Sequence, residues 1–212
     1  KKRLFIPQVK TWDDVYELFL AKTTIEKCYA CVSYIDSVDS FYGQCWSFEA
    51  ESDALWRIYS PDKTGVRIKC KLENVAYALM IEENHVDYST VIKKIGGIRY
   101  MNVGDIEKWA QALNKDEINL DTIRDSLFIK RTEFSHEDEV RIIIQKAFLK
   151  GENPNTLLPF IVDPNSLINE VTFDPRIDDG QFELNSIVLN SIGYKNEINK
   201  SGMYSFSFPK ID

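Results

Sequence analysis

Three segments of this 212-residue chain carry side chains whose types and spacing could do chemistry. The richest is Phe134-Ser-His-Glu-Asp-Glu-Val-Arg141, running on into Ile142-Ile-Ile144. Glu137 and Glu139 stand two apart where a β-branched run begins, and in an extended chain they point to one face. Two carboxylates on one face push the pKa of one of them up, which suits a pair in which one group hydrogen-bonds and the other carries charge. Arg141 continues that face and is placed to neutralise one of the two. His136 is one of only two histidines, and histidine is the side chain that titrates nearest neutral pH. A solvated strand edge would present the same alternating charges, so spacing leaves both readings open.

The second segment is Gln44-Cys-Trp-Ser-Phe-Glu-Ala-Glu-Ser-Asp-Ala-Leu-Trp-Arg-Ile-Tyr-Ser60. A helix capped by Ser47 and running through Ile58 gathers Trp56, Tyr59 and Ser60 at its C-terminal end. Two aromatic rings beside a hydroxyl make a wall for a flat ring such as a base or a nicotinamide. The same spacing also describes plain core. The third segment is Trp12-Asp-Asp-Val-Tyr-Glu17, where Asp14 and Glu17 are neighbours at i, i+3 on a helix. They could receive hydroxyls or a guanidinium, or simply favour a helix N-terminus.

Other chemistries lack their signatures. Gly96-Gly97 and Gly193 match neither the phosphate loop nor the dinucleotide fingerprint, and no Gly-x-Ser-x-Gly elbow occurs. Cys28 and Cys31 have the spacing of half a zinc site, but Cys45 and Cys70 do not supply the other half. The four cysteines read as reduced, buried thiols of a cytoplasmic protein, with no metal expected.

Placing these groups requires a core, and the composition provides one: 44% hydrophobic residues, 12 Phe, 10 Tyr and 4 Trp. The length fits a single domain, 1–212, with a polar turn near 150–156 joining two halves. A net charge of −7 disfavours a general phosphate-backbone binder. No apolar run approaches the roughly 18 residues of a membrane span, and no signal peptide is visible. The first residue is Lys, so an N-terminal piece is expected to precede it.

Periodicity predicts helices over 12–21, 47–58, 74–83, 105–114, 116–126 and 179–192, the last with Phe182, Ile187, Val188 and Ile192 facing inward. Strands are expected at 41–46, 65–70, 140–145, 160–162, 171–173 and 203–208, with 91–101 a strand or a hairpin. Scattered strands and early and central helices define an α+β class with a mixed or antiparallel sheet.

The motifs Asp14-Val-Tyr-Glu17, Cys45-Trp-Ser47, Glu51-Ser52, Trp56-Arg-Ile-Tyr-Ser60, Gly65-Val-Arg-Ile68 and Phe134-Ser-His-Glu-Asp-Glu-Val-Arg141 occur in an order that resembles a bacterial family, domain of unknown function 2971. Val15 stands where that family usually has Pro. Fuller members resemble distant ADP-ribosyltransferases of the nucleic-acid-modifying toxin type. The resemblance implies a related fold and NAD as the cofactor consumed. It makes Glu139 the last Glu of the Glu-x-Glu strand, which bonds the ribose 2′-hydroxyl, and Glu137 the one before it. Tyr59 and Ser60 become candidates for holding the nicotinamide ribose. Trp56 or Tyr59 would stack the ring, Arg141 would join the cofactor-binding set, and Asp14, Glu17 and His136 would orient substrate. The superfamily's first strand motif has no counterpart here and would lie upstream of Lys1.

The implied activity is NAD-dependent ADP-ribosyl transfer or NAD hydrolysis by a toxin or anti-phage effector. Its expected partners are a nucleotide, a nucleic-acid or protein acceptor, and an antitoxin or defence component. Two alternatives come from other classes. Asp138, Glu139 and Arg141 resemble the carboxylate-rich strand of restriction-type nucleases, with Arg141 where a Lys is expected. The Trp-rich face also suits a non-catalytic module that binds nucleotide or protein.

Overall fold

The computed structural model describes residues 2–20, 39–81, 91–113, 118–146 and 155–206. Cys28, Cys31 and residues 150–154 of the polar turn lie outside the described residues. The chain divides into two compact units, residues 1–4, 51–85 and 160–212 in the first and 5–50 and 86–159 in the second. The chain crosses between them after residues 4, 50, 85 and 159, the first and last of these within β1 (Arg3–Pro7) and β8 (Leu157–Ile161).

In the second unit, β2 (Phe41–Ser47) and β4 (Val91–Gly97) flank β7 (Glu139–Lys146), both antiparallel to it. The run Val140-Arg-Ile-Ile-Ile-Gln145 is buried throughout, as a central strand covered on both faces must be. A second, parallel pair joins β5 (Arg99–Met101) to β6 (Ile129–Arg131). The helices α3 (Val103–Ala112) and α4 (Leu120–Ser126) start where Asn102 and Asn119 side chains accept backbone N–H groups. Ile143, Phe41, Val9, Leu18, Leu20, Ile123 and Leu127 form the core.

The first unit holds a sheet in the order β10 (Glu197–Lys200), β9 (Glu170–Phe173), β3 (Val66–Lys69). β10 is parallel to β9 and β3 antiparallel. Its helices are α1 (Asp53–Tyr59), α2 (Leu72–Ile81), α5 (Pro164–Leu167) and α6 (Asp179–Ser191). Val171, Phe173, Ile177 and Tyr194 are its buried cluster, with Phe182 edge-on to Phe173. The fold is α+β, with mixed and antiparallel sheets. Among the described residues no helix is long and apolar enough to cross a membrane.

Several expected elements differ. The 47–58 helix starts only at Asp53. Ser47 stays in β2 because it pairs with Glu139 and its hydroxyl donates to the Glu137 carbonyl, 2.5 Å away. In place of a helix from Trp12, a 3₁₀ turn spans Val15–Leu18 after Asp14, whose carboxylate accepts the Tyr16 N–H. Residues 91–101 are no hairpin: Ile98 N–H bonds to Glu139 and Arg99 N–H to Phe128, so β5 leaves for β6. Residues 203–206 are not a strand, and 197–200, which carried no expectation, are one. On α6 the inward face is Phe182 and Leu189. Leu184, Ile187, Val188 and Ile192 instead form an exposed stripe, each more than half exposed. Both stripes have helical spacing, so the sequence could not choose between them.

Candidate functional site

The site of the second unit is built around Arg141, which is fully buried in the central strand. Burying a guanidinium demands that its N–H donors be met. Nε donates to Glu139 Oε1 at 2.6 Å and Nη2 to Glu139 Oε2 at 3.2 Å, a bidentate pair. Nη2 also donates to Glu17 Oε1 at 2.6 Å, and Nη1 to the Leu127 carbonyl at 2.7 Å. The Trp12 ring covers the guanidinium at 4.4 Å. Trp12 can lie there only because position 43 is glycine: a Cβ would sit 2.3 Å from Trp12 Cζ2.

Glu139 opens β7, and the chain reaches it through a 3₁₀ turn at Thr132–Glu137 and then Asp138 in the left-handed region, φ 41°. Glu137 and Glu139 thereby converge on Lys130, whose Nζ lies 2.5 Å from Glu137 Oε2 and 3.0 Å from Glu139 Oε2. Glu17 Oε1 is 3.5 Å from the same ammonium. The Tyr100 hydroxyl accepts the Glu139 backbone N–H at 2.8 Å, tying β5 to the start of β7. The two carboxylates do meet at one place, but through the Asp138 turn and not through strand alternation.

Three buried carboxylates thus face the buried Arg141 and the partly buried Lys130. Burial pushes Glu139 up, but the Arg141 guanidinium and Lys130 outweigh it and hold its pKa well below the usual carboxylate range, at about 2. The raised pKa expected from like charges is therefore not found at Glu139. Burial lowers the Lys130 and Arg141 pKa values, and their carboxylate partners more than reverse that.

Asp14 lies one shell out. It pairs with Arg131 at 3.2 Å, and Arg131 is sandwiched between Tyr16 at 4.5 Å and Phe134 at 5.1 Å. Phe134 also lies under Lys130, at 4.8 Å. His136 is exposed, with Nδ1 3.3 Å from the Glu133 carbonyl.

Trp56, Tyr59 and Ser60 belong to the first unit. Trp56 is buried, and its indole N–H donates to Glu51 at 2.8 Å. Tyr59, one turn further along α1, is 66% exposed. The pair does not form one wall, because positions i and i+3 straddle the edge between the buried and the exposed face. Ser60 is buried, and its Oγ accepts the Gly65 N–H at 3.0 Å. Arg176 ties the same turn together, donating to the Trp56 and Ser60 carbonyls and to Asp174. That arrangement holds the Asp174 carboxyl down at about 2.

Of the residues picked out from sequence, the fold brings Glu137, Glu139, Arg141 and Glu17 together, with Asp14 next to them. Lys130, Arg131, Tyr100 and Trp12 complete the site and were not foreseen. A signal for Lys130 existed: three carboxylates gathered in a core require compensating cations, and Lys130-Arg131 follows the apolar Phe128-Ile129 directly. Among the described residues no group of three or more His, Cys, Asp and Glu is arranged to hold a metal ion.

Residues 55–142 match the model of a family described as a protein of unknown function (DUF2971), as the motif order had implied. No curated protein and no solved structure matches the chain.

Proposed function

We propose that this chain, whose residues 55–142 match the DUF2971 family model, consumes NAD as an ADP-ribosyltransferase or NAD glycohydrolase and acts as a cytoplasmic toxin or anti-phage effector. The observation that supports this reading is the charge balance at Glu139: three buried carboxylates against Lys130 and Arg141, one negative charge in surplus. Cleavage of a nicotinamide–ribose bond develops positive charge at the sugar, as glycosidic cleavage does. A carboxylate fixed as an anion in a dry, preorganised site stabilises that charge without reorganising.

In this reading the C1′–N bond breaks and its electron pair leaves with the nicotinamide nitrogen. Glu139 faces the electron-poor sugar and takes the 2′-hydroxyl hydrogen bond. The acceptor nucleophile closes on C1′, and its proton passes to Glu137. Lys130 bridges both carboxylates in the free protein, so it must swing aside as substrate enters. Arg141 stays and keeps Glu139 ionised.

The test incubates the purified chain with NAD and follows free nicotinamide, alone and with candidate nucleic-acid or protein acceptors. Release of nicotinamide in excess of enzyme supports the reading. Magnesium-dependent, chelator-sensitive nucleic-acid cutting without nicotinamide release would replace it with the nuclease. A second reading has its own support. The exposed α6 stripe of Leu184, Ile187, Val188 and Ile192 is the kind of apolar patch that marks a protein partner. Saturable protein binding without turnover would favour that module.

A further inference from the structure

We propose that the second unit carries a separate binding site for a small amphiphile, with an apolar body and a cationic, hydrogen-bond-donating head. A cavity of about 450 Å³ opens between the Tyr16–Leu20 segment and the inner face of α3. Its walls are Tyr16, Phe19, Val103, Ile106, Ala110 and Leu113. A space this size lies in the range of small-molecule sites, which are mostly apolar with a few polar groups at one edge.

The walls are held from behind. Phe19 packs edge-on against Trp109 at 5.9 Å, and Trp109 is covered by Arg99 at 5.8 Å. Tyr16 is fixed by Arg131 on one face, and its backbone N–H by Asp14. Water would find few partners against such a surface, so an apolar ligand gains by displacing it.

The polar rim decides the head group. Glu107 and Gln111 stand one helical turn apart on α3. Glu107 is the one charged residue among the described residues that line the cavity. The Glu107 carboxylate accepts hydrogen bonds and carries the charge of the rim, while the Gln111 amide and the Tyr16 hydroxyl can donate or accept. An ammonium head satisfies them, and a carboxylate head is repelled. This site is independent of the chemistry at Glu139, and its occupation is read without any turnover.

Titration calorimetry at pH 7 with octylamine, octanol and octanoate tests the proposal. Octylamine should bind one per chain, roughly tenfold more tightly than octanoate, with a negative heat-capacity change from apolar burial. Glu107→Lys, an exposed change that leaves the fold intact, should reverse that preference. Ala110→Trp should fill the cavity and abolish binding of all three, its melting curve showing that the protein is folded. Equal binding of amine and octanoate, an unreversed preference in Glu107→Lys, or full octylamine binding by folded Ala110→Trp would each overturn the assignment.

Discussion

Replacing Arg141 by Met is the perturbation that most directly probes the charged core. The side chain keeps an unbranched apolar stem and loses the guanidinium with every N–H. In the wild type, four hydrogen bonds and two ion pairs converge on that guanidinium, which is wholly buried. Without it, Glu139 and Glu17 are left buried, and Lys130 is the one cation within ion-pair distance among the described residues. Breaking a buried pair from one side costs about 3–5 kcal/mol, because the remaining charge is uncompensated. For a chain of this length that lowers the melting temperature by roughly 6–20 °C.

The pH dependence gives the loss a signature. Glu139 has a folded pKa of about 2, below its unfolded value. Its contribution is therefore complete above the unfolded carboxylate pKa near 4.3 and disappears as pH falls toward 2. Arg141→Met removes the main reason for the depression, so the gap between variant and wild type should narrow between pH 5 and about 3. Urea denaturation at pH 7, 5 and 3.5 measures this. Adding Glu139→Gln to Arg141→Met should cost less than the sum of the two single changes, by about 0.5–3 kcal/mol. A loss under about 1 kcal/mol, or a loss independent of pH, would refute the reasoning.

Other outcomes follow from particular contacts. Gly43→Ala drives a methyl into Trp12 and should destabilise by about 1–3 kcal/mol, with a change in near-ultraviolet circular dichroism as the ring shifts off Arg141. Asp138→Gly should be neutral or stabilising by up to about 1 kcal/mol, since glycine adopts φ 41° without strain, whereas Asp138→Val should destabilise in the same chemical melts. Ser60→Ala orphans the Gly65 N–H and should cost about 1–3 kcal/mol in urea denaturation. On α6, Ile187→Lys should leave thermal stability within about 0.5 kcal/mol, whereas Phe182→Ala, which removes the edge contact with Phe173, should cost about 2–4 kcal/mol.

Much of this was legible in the sequence where local pattern and tertiary role agree. Val140–Gln145 is β-branched and apolar, and it became the central strand. Glu139 and Arg141 share a face because strand alternation fixes it, and their pairing follows. The helix expected over 179–192, found at Asp179–Ser191, also follows from spacing. Long-range effects were not legible. Ser47 is held extended by Glu139 and Glu137, which lie some 90 residues later. Asp138 in a left-handed turn cannot be read from an acidic tripeptide. Arg141 as the group that neutralises one of the two carboxylates was legible, whereas Lys130, on another strand, enters only through the fold. Trp56 and Tyr59 looked like one wall because helical spacing places neighbours without saying which edge of the helix is covered.

The most direct measurement is nicotinamide release by the wild type and by Glu139→Gln and Glu139→Asp, each assayed at a temperature where its own melting curve shows the protein folded. Loss of one electrostatic stabiliser predicts a fall of at least about a hundredfold for Gln, with measurable recovery for Asp, which restores the charge at a shorter reach. Equal rates in all three proteins, or no nicotinamide from the wild type under any acceptor condition, would contradict the claim that Glu139 splits the sugar from the ring.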